Sequence, residues 1–367
     1  MSKTVQGRNG AHSKASKRRK KQKNRLIIVV IEILVLLILA AVLFVTVKLS
    51  KIQKDTSFNK EDIEVNEGLS SESQEIMAGY TTIALFGLDN RSNGNLSKGN
   101  SDVIMIASIN NDTHAVKLVS VYRDSYLDIG GGTFKKCNSA YAKGGPEQAI
   151  TMLNKNLDMD ITDYVTVDFN AVVECVDLLG GVTIPDVSDE EAVLMHGYMD
   201  EINKLTKNNS KYLSGGGTNV EMDGVQACAY ARIRYTAGDD YKRTERQRTV
   251  LTAMVQKAQK ANLTTINSLI DELFGDIKTS FSNTELISLA AKVFNYSLGE
   301  TIGFPFEKNT TTLGNKGSVV VPCDLESNVK QLHVFLYDDN EYAPTDTVKN
   351  NSAQIVNDTG FHQGEGY

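Results

Sequence analysis

The pattern of apolar and polar stretches along the chain predicts a membrane segment followed by a large water-facing domain. Residues 26–47 are an apolar run of 22 residues interrupted by one charge, Glu32. At about 1.5 Å per residue, a helix of this length spans about 33 Å, which is enough for the core of a bilayer. Residues 1–25 are polar and predict a disordered tail, and residues 48–79 predict a polar linker.

From residue 80 onward, short apolar runs alternate with segments of helical period. The predicted strands are 81–86, 103–109, 115–121, 164–168, 182–184 and 318–321. The predicted helices are 145–157, 169–179, 223–230, 243–260 and 324–337, with one or two more in 262–300. Strands that alternate with helices indicate an α/β domain. The turn residues Asn110-Asn111-Asp112 predict a hairpin, which makes the central sheet mixed.

Two parts of this region predict little regular structure. Residues 186–220 are polar and rich in glycine, which favours a mobile surface insertion, and the polar residues from Ala343 onward favour a loose tail. The predicted organisation is a basic tail (1–25), a transmembrane helix (26–47), a linker (48–79), a folded domain (80–340) and a flexible C-terminal tail (341–367).

The distribution of charge orients the chain and limits its partners. Residues 1–25 contain ten Lys and Arg and no acidic residue, whereas the whole chain has a net charge of −6. Basic residues beside a membrane helix stay in the cytoplasm, so the folded domain is expected outside the membrane. A cleaved signal peptide is the alternative, but the apolar run exceeds the usual signal core and no A-x-A site follows it. The basic tail is too short for a DNA-binding domain, so no nucleic-acid partner is expected.

The four cysteines are Cys137, Cys175, Cys228 and Cys323. None belongs to a C-x-x-C pair or has a histidine at metal-ligand spacing, so a structural zinc site is not expected. Two disulfides and four buried thiols both stay open. The apolar helical surroundings of Cys175 and Cys228 favour buried thiols.

Arginine and aspartate gather in three short blocks of this acidic domain. Asp89 directly follows the first strand, and a Gly-, Asn- and Ser-rich loop joins it to Asp102. Arg123 and Asp124 directly follow the third strand, and the third block, 232–248, contains several arginines. Side chains at strand ends converge on one edge of a sheet, which is the usual place for a ligand.

The residue types in these blocks indicate phosphate chemistry. Two carboxylates suit Mg²⁺, with Mn²⁺ as a substitute, because these ions prefer oxygen ligands. Arginines present fixed forks to phosphoryl oxygens. A metal ion and arginines would neutralise a pyrophosphate while an acceptor hydroxyl attacks it. Taken singly, Asp89 and Asp102 also suit turns or helix caps, and Arg123 with Asp124 also suits a structural ion pair.

The helix predicted from residue 243 has an inward stripe that begins with polar residues. Arg243 and Gln247 precede Val250, Leu251 and Met254 on this stripe, so Arg243 is expected to face inward toward an anionic partner or ligand. The N-terminus of the helix adds an attraction for phosphate. Arg248 lies on another face and is expected to be solvated.

Separated motifs carry a resemblance to a known family. They are LFGLDNR, GNSDVIMIASIN, VKLVSVYRDSYLDI, KKCNSAYAKGGPEQAI, DYVTVDFNAVVECVDLLGGVTI, MDGVQACAYARIR and GDDYKRTERQRTVL. In this order they resemble the LytR-CpsA-Psr family of bacterial cell-wall enzymes over residues 80–260, and more weakly to 337. The resemblance implies a three-layer α/β/α sandwich with an apolar tunnel for a lipid. It also implies a membrane-anchored transferase that moves a glycopolymer, such as teichoic acid or capsule, from a polyprenyl-pyrophosphate carrier to peptidoglycan.

The resemblance also assigns roles to residues of this chain. Asp89 and Asp102 match the Mg²⁺ aspartates. The arginines that match those around the pyrophosphate are Arg91, Arg123, Arg232, Arg234 and Arg243, and the supporting polar positions are Asp124, Lys136, Asp240 and Gln247. The chain departs from the family pattern at Asn100, where Arg is usual, at Tyr122, where Pro is usual, and at Cys137, where Ile is usual.

Two other functions use the same residues. A hydrolase of the polyprenyl-pyrophosphate donor differs from a transferase only in its independence of an acceptor. A non-catalytic protein that binds lipid-linked anions, or a regulator of the envelope, would bind polyprenyl phosphate without metal-dependent turnover.

Overall fold

The computed structural model describes residues 53–55, 58–88, 96–97, 99–234 and 239–367, together with positions 47 and 50. Among these residues, no helix combines the length and the apolar character that crossing a membrane requires. The predicted tail (1–25) and nearly all of the predicted membrane helix (26–47) lie outside the described residues.

A seven-stranded mixed sheet forms the centre of the unit that spans residues 52–367. Its strands, in spatial order, are β1 (Gln53–Lys54), β10 (Ile277–Thr279), β7 (Asp163–Asp168), β2 (Tyr80–Leu88), β3 (Ser101–Asn110), β4 (Ala115–Val121) and β11 (Ser297–Phe304). β2 runs antiparallel to β3 and parallel to β7, and β3 and β4 form the predicted hairpin. The predicted α/β class with a mixed sheet is therefore confirmed.

Three small two-stranded sheets accompany the central one: β5 (Tyr126–Asp128) with β6 (Phe134–Lys136), β8 (Val182–Val187) with β9 (Gly217–Met222), and β12 (Lys308–Thr312) with β13 (Ser318–Pro322). The described α-helices are α1 (Ser71–Ala78), α2 (Ser139–Leu157), α3 (Phe169–Leu178), α4 (Asp189–Thr206), α5 (Gly224–Arg232), α6 (Asp239–Ala258), α7 (Leu263–Leu273), α8 (Asn283–Ala291), α9 (Leu325–Tyr337) and α10 (Asp346–Thr359).

Helices cover both faces of the central sheet, and alternate residues of each strand serve the two faces. Ala84, Phe86 and Ile104 belong to the main core, which also contains residues of α2, α9 and α10. Leu85 and Val103 project to the opposite face, where α3, α5, α6 and α7 lie. Ala84, Phe86 and Ile104 are almost fully buried, whereas Leu85 and Val103 are only half-buried.

The predicted mobile insertion at 186–220 is wrong, because this region is mostly regular. Residues 189–206 form α4, whose N-terminus is closed by a capping box between Ser188 and Glu191. Met195, Met199 and Ile202 are buried one or two turns apart on its inner face. The consecutive glycines at 215–217 lead into β9.

Both ends of the predicted domain also extend further than expected. The linker residues 71–78 form α1, and Met77 on this helix is 2% exposed. The C-terminal residues expected to be loose form α10, which begins at the cap Thr345 and buries Val348 and Ile355 against the main core. These apolar residues are seven apart, so the helix has an inner face although most of its residues are polar. All four cysteines are free thiols; Cys137, Cys228 and Cys323 are buried, as expected, whereas Cys175 is half-buried.

Candidate phosphate site beside an apolar cavity

The candidate site lies at the edge of the sheet where β2 and β4 end and β3 begins. Leu88 at the end of β2 pairs with Ser101 at the start of β3, and Val121 is the last residue of β4. Asp102 and Arg123 therefore meet at this edge, where Arg123 Nη1 donates to Asp102 Oδ1 at 2.7 Å. The expected convergence of strand-end residues is thus present for this pair.

The main chain around Arg123 is held by the segment that leads into α2. The Asn138 N–H donates to the Arg123 carbonyl at 3.1 Å, and the Ser101 N–H donates to the Asn138 carbonyl at 3.3 Å. The thiol of Cys137 donates to the Tyr122 carbonyl at 3.2 Å. Burial raises the pKa of Cys137, which keeps the thiol protonated as a donor. The family position usually occupied by Ile therefore supports the arginine turn through a hydrogen bond here.

The first turn of α6 adds a second ion pair to the site. Arg243 Nη2 lies 2.8 Å from Asp240 Oδ1, and Arg123 Nε lies 3.8 Å from the same oxygen. Arg234, in the segment after α5, places Nη2 3.5 Å from Asp102 Oδ2. Two carboxylates thus connect three arginines, one from the turn after β4 and two from the third block, 232–248.

Asp124 and Lys136 form the outer side of this network. Lys136 Nζ lies 3.2 Å from Asp124 Oδ1, which is also 3.9 Å from Arg123 Nε. Lys136 is the last residue of β6, the short strand that precedes Cys137 and Asn138. The hairpin that supports Arg123 therefore also supplies a further positive charge.

The buried centre of the site has polar atoms without partners. Arg243 is 3% exposed, yet its Nε and Nη1 have no hydrogen-bond partner within the described part of the chain. Asp240 Oδ2 is likewise buried and unpaired. Buried polar groups are normally satisfied, so such a concentration at one place indicates a site for a ligand.

Burial also shifts the ionisation of these groups. It lowers the pKa of Arg243 to about 10, and it raises the pKa of Asp240. Burial opposes the charge of Arg123 as well, but the carboxylates of Asp102, Asp240 and Asp124 outweigh it and raise the pKa of Arg123. At neutral pH both arginines are therefore charged, and Arg243 lacks full compensation for its burial.

An apolar cavity of about 280 Å³ lies between the sheet and the helices on the face of Leu85 and Val103. The helical part of its wall comes from α3, α5, α6 and α7 and includes Val172, Ala231 and Met254. The half-buried state of Leu85, Val103, Val172 and Met254 follows from this space, since interiors of folded domains are otherwise closely packed.

The cavity reaches the phosphate site along α6. Gln247 lines the cavity, and it lies one turn after Arg243 on the same face of the helix. Val103, another lining residue, follows Asp102 in β3. The inward direction predicted for Arg243 and Gln247 is therefore confirmed, and Gln247 and Val103 connect the wall of the cavity to the phosphate site along the chain.

The remaining predicted site residues are Asp89, Arg91 and Arg232. Asp89 and Arg91 lie outside the described residues. Arg232 donates to Glu201 at 3.3 Å, and its guanidinium lies 5.0 Å from the ring centre of Phe169 and 5.6 Å from that of Tyr198. These contacts tie Arg232 to α3 and α4, and its part in phosphate binding stays a prediction.

The carboxylates suit a divalent cation in kind. Within the described ranges, no group of three or more His, Cys, Asp or Glu residues is arranged to hold a metal. Asp102 Oδ2 lies 3.5 Å from Arg234 Nη2, and among the described residues Asp240 Oδ2 has no hydrogen-bond partner. Asp102 therefore offers the kind of oxygen ligand that Mg²⁺ or Mn²⁺ prefers, and its predicted partner Asp89 lies outside the described residues.

Two features near the site were missed from the sequence. Arg248, expected to be solvated, is partly buried, and its Nη1 has no partner in the described structure. Lys308 in β12 places Nζ 5.6, 4.8 and 5.5 Å from the ring centres of Tyr122, Tyr241 and Tyr367. Neither feature has a periodic signal, because the contacts come from elements far apart in sequence.

The structure thus places a cluster of arginines and carboxylates beside an apolar cavity in an α/β domain. The sequence pattern of the LytR_cpsA_psr family matches residues 41–316, which is more than half of the chain. The chain therefore belongs to this family.

Individual relatives agree with this assignment. The chain is 30% identical over 212 residues to a polyisoprenyl-teichoic acid–peptidoglycan teichoic acid transferase, TagU, of Enterococcus faecalis, covering 57% of this chain and 64% of that one. It is 28% identical over 248 residues to the TagU of Bacillus mycoides, covering 67% and 73%. The crystal structure of protein gbs0355 from Streptococcus agalactiae has a similar fold, with a TM-score of 0.59 and 22% identity over 75% of this chain and 93% of that chain.

Proposed function

We propose that this protein is a membrane-anchored transferase that attaches a glycopolymer, carried on polyprenyl pyrophosphate, to peptidoglycan outside the cytoplasmic membrane. The observation that carries the proposal is the buried Arg243, whose unpaired guanidinium nitrogens stand one helical turn from the apolar cavity. A lipid pyrophosphate has the two chemical parts that this arrangement fits, an anionic head and an apolar chain.

The charge of the site supports a pyrophosphate ligand. Among the described residues, the network contains four cations (Arg123, Lys136, Arg234 and Arg243) and three carboxylates (Asp102, Asp124 and Asp240). The excess is positive, although the chain as a whole is acidic. Guanidinium forks are well matched to phosphoryl oxygens and hold their charge at any physiological pH.

The names of the relatives support the reaction. The relatives from Enterococcus and Bacillus are named for transferring teichoic acid from a polyisoprenyl carrier to peptidoglycan. The matched region covers 64% of the Enterococcus protein, so this activity comes to the present chain as a proposal. Teichoic acid is the polymer that these names favour, and capsule or another wall glycan carries the same phosphate linkage.

The reaction forms one phosphorus–oxygen bond and breaks another. The oxygen of an acceptor hydroxyl attacks the phosphorus that bears the glycopolymer, and the bond from this phosphorus to the bridging oxygen breaks. Polyprenyl phosphate leaves with that oxygen, and the glycopolymer stays on the acceptor as a phosphodiester. We assign to Asp240 the role of accepting the proton of the hydroxyl, because its Oδ2 has no hydrogen-bond partner among the described residues and burial raises its pKa.

The arginines orient the pyrophosphate and balance the charge that develops on it. Arg123 is held by Asp102 and by the turn after β4, and Arg243 is held by Asp240 and by α6, so both are placed before the donor binds. Mg²⁺ held by Asp89 and Asp102 would supply further positive charge to the phosphoryl oxygens. Gln247 stands between the polar head and the lipid cavity.

Location outside the membrane follows from the proposed anchor. The apolar run 26–47 is long enough to span a bilayer, and the basic residues before it favour a cytoplasmic N-terminus. The lipid carrier and peptidoglycan would then be accessible to the domain on the outer side.

The dependence of product release on the acceptor tests the proposal. Purified full-length protein in detergent should release polyprenyl phosphate from a lipid-linked glycopolymer mainly when peptidoglycan strands are present, and the polymer should become attached to them. We expect release to rise at least tenfold with acceptor. Equal release without acceptor would indicate a hydrolase, and lipid binding without release would indicate a binding protein.

Filling the cavity should separate the role of the lipid from that of the phosphates. Val172→Phe adds volume within the apolar wall, so we expect at least a tenfold loss of transfer from a long-chain polyprenyl donor and a smaller loss with a ten-carbon prenyl donor. The melting temperature should not fall, since the change fills space. Val193→Phe is the matched control, because Val193 is 63% exposed on α4. Equal losses with both donors would contradict a lipid in this cavity.

A further inference from the structure

A polar groove lies on the face of α6 opposite the apolar cavity. Its volume is about 340 Å³, and α6, β8 and β11 form its walls. The residues that line it include Thr183, Arg248, Thr249, Thr252, Gln256 and Thr301. With 3.6 residues per turn, positions 248, 252 and 256 form a row on the helix that points away from 243, 247 and 254. One helix therefore separates an apolar space from a polar one.

Arg248 places in this groove a hydrogen-bond donor that can bind an oxygen ligand. Its Nη1 is buried and has no hydrogen-bond partner among the residues described. Burial lowers the pKa of Arg248, so the charge lacks the compensation that a buried ion pair would give. An acceptor oxygen from a bound molecule would satisfy this donor.

The rest of the lining favours an uncharged polar chain. The four threonine residues that line the groove, Thr183, Thr249, Thr252 and Thr301, are half-buried, and Gln256 adds an exposed amide at the far end. Glu245, also in the lining, is already paired with Lys242 at 2.8 Å. Hydroxyl and amide groups with one guanidinium suit the hydroxyls and amides of a glycan, whereas a polyphosphate would meet only one cation of the groove lining.

One end of the groove lies next to the candidate phosphate site. Arg248 lies close enough to Tyr122 for its charge to act on the tyrosine hydroxyl, and Tyr122 directly precedes Arg123. A side chain at Gly303 would collide with the Tyr122 hydroxyl, so Tyr122 packs closely over β11 at this end. The position where the family usually has Pro is thus an aromatic residue at the junction of the groove and the arginine site.

We propose that this groove binds the glycan chain of the peptidoglycan acceptor, with Arg248 hydrogen-bonding an oxygen of the sugar nearest the reacting hydroxyl. The inference rests on the proposed transferase function and adds the location of the acceptor. The carrier lipid and the acceptor then lie on opposite faces of α6, and both lead to its N-terminal turns, where Asp240 and Arg243 stand. The two substrates are thereby kept apart until their reacting groups meet.

Acceptor kinetics and direct binding together test the groove. Full-length wild type, Arg248→Gln and Arg248→Lys are assayed with undecorated peptidoglycan strands and with a donor that carries one sugar on its pyrophosphate. Arg248→Gln should raise the KM for the strands about tenfold, the effect of losing one charge-assisted hydrogen bond, and change the KM for the donor less than twofold. Arg248→Lys should recover part of the loss. Lys260→Gln, an exposed charge just beyond α6, is the matched control.

Co-sedimentation with purified peptidoglycan sacculi tests the groove without relying on turnover. Thr252→Trp, which fills the groove from α6, and Arg248→Gln should each lower the bound fraction at least fivefold relative to Lys260→Gln. A wild type that binds sacculi through these residues but transfers nothing would overturn the proposed function and keep the groove. Unchanged binding in both variants, or an effect on the KM of the donor rather than of the strands, would overturn the groove as the acceptor site.

Discussion

Arg243→Lys should lower the rate of glycopolymer transfer about 10²- to 10³-fold while the protein stays folded. Lysine keeps a positive charge opposite Asp240, so it can replace Arg243 in the ion pair, where Nη2 lies 2.8 Å from Asp240 Oδ1. It offers a point charge in place of the planar fork, and the Nε and Nη1 donors that face the ligand are lost. Removing one positioned donor from a reacting oxyanion typically costs about 3–4 kcal/mol of transition-state stabilisation.

The measurement is the initial rate of polyprenyl phosphate release at saturating donor, with the melting temperature recorded on the same samples. Lys260→Gln is the matched control, since Lys260 is an exposed charge just beyond α6. We expect the control to keep its rate within twofold. A second variant, Arg243→Ala, should recover activity when guanidinium ions are added. A rate for Arg243→Lys within threefold of wild type would show that the buried fork does not act on the substrate.

Asp102→Asn should lower transfer at least a hundredfold and raise the Mg²⁺ concentration needed for half-maximal activity at least tenfold. The amide keeps the shape of the side chain but loses its charge, and with it the pairing of Arg123 and Arg234. It is also a poorer ligand for a hard cation than a carboxylate. Both effects act on the same phosphoryl oxygens, which is why we expect this loss to be among the largest.

Titration of Mg²⁺ into protein treated with a chelator provides the test, with Mn²⁺ as a second metal. Asp124→Asn is the informative comparison, because Asp124 contacts Lys136 at 3.2 Å and is not a predicted metal ligand. Its variant should lose activity without a shift in the metal requirement. If Asp102→Asn and wild type had the same Mg²⁺ dependence, the metal would have to be placed on other residues or removed from the mechanism.

The centre of the domain was predictable because its signals are local. The strands from β2 to β4 are short apolar runs bounded by polar turns, and the residues at their ends must meet at one sheet edge. The residues of the stripe that starts at Arg243 recur with the period of a helix, and this pattern predicts that they face inward, as the burial of Arg243 shows. The α/β class and the meeting of Asp102 with Arg123 therefore needed no knowledge of distant contacts.

Other parts depended on contacts that no local pattern reveals. Helix α10 is polar in composition, and its helical face is evident only from the buried pair Val348 and Ile355. Arg248 is shielded by β8 and β11, which come from well before and well after it in the chain. Arg232, close to Arg234 in sequence, contacts α3 and α4 instead of following its neighbour to Asp102. Two arginines on one short segment thus diverge because the end of α5 turns between them.

Alternate residues of one strand face the main core and the apolar cavity, so the two can be changed separately. Ala84 and Phe86 of β2 hold the dry interior together, while Leu85, between them, borders the empty space on the other side. Substitutions at the cavity-facing positions can therefore change the volume of the cavity while the main core stays packed. The shape of the cavity and the stability of the fold are thus controlled by alternate residues of the same strand.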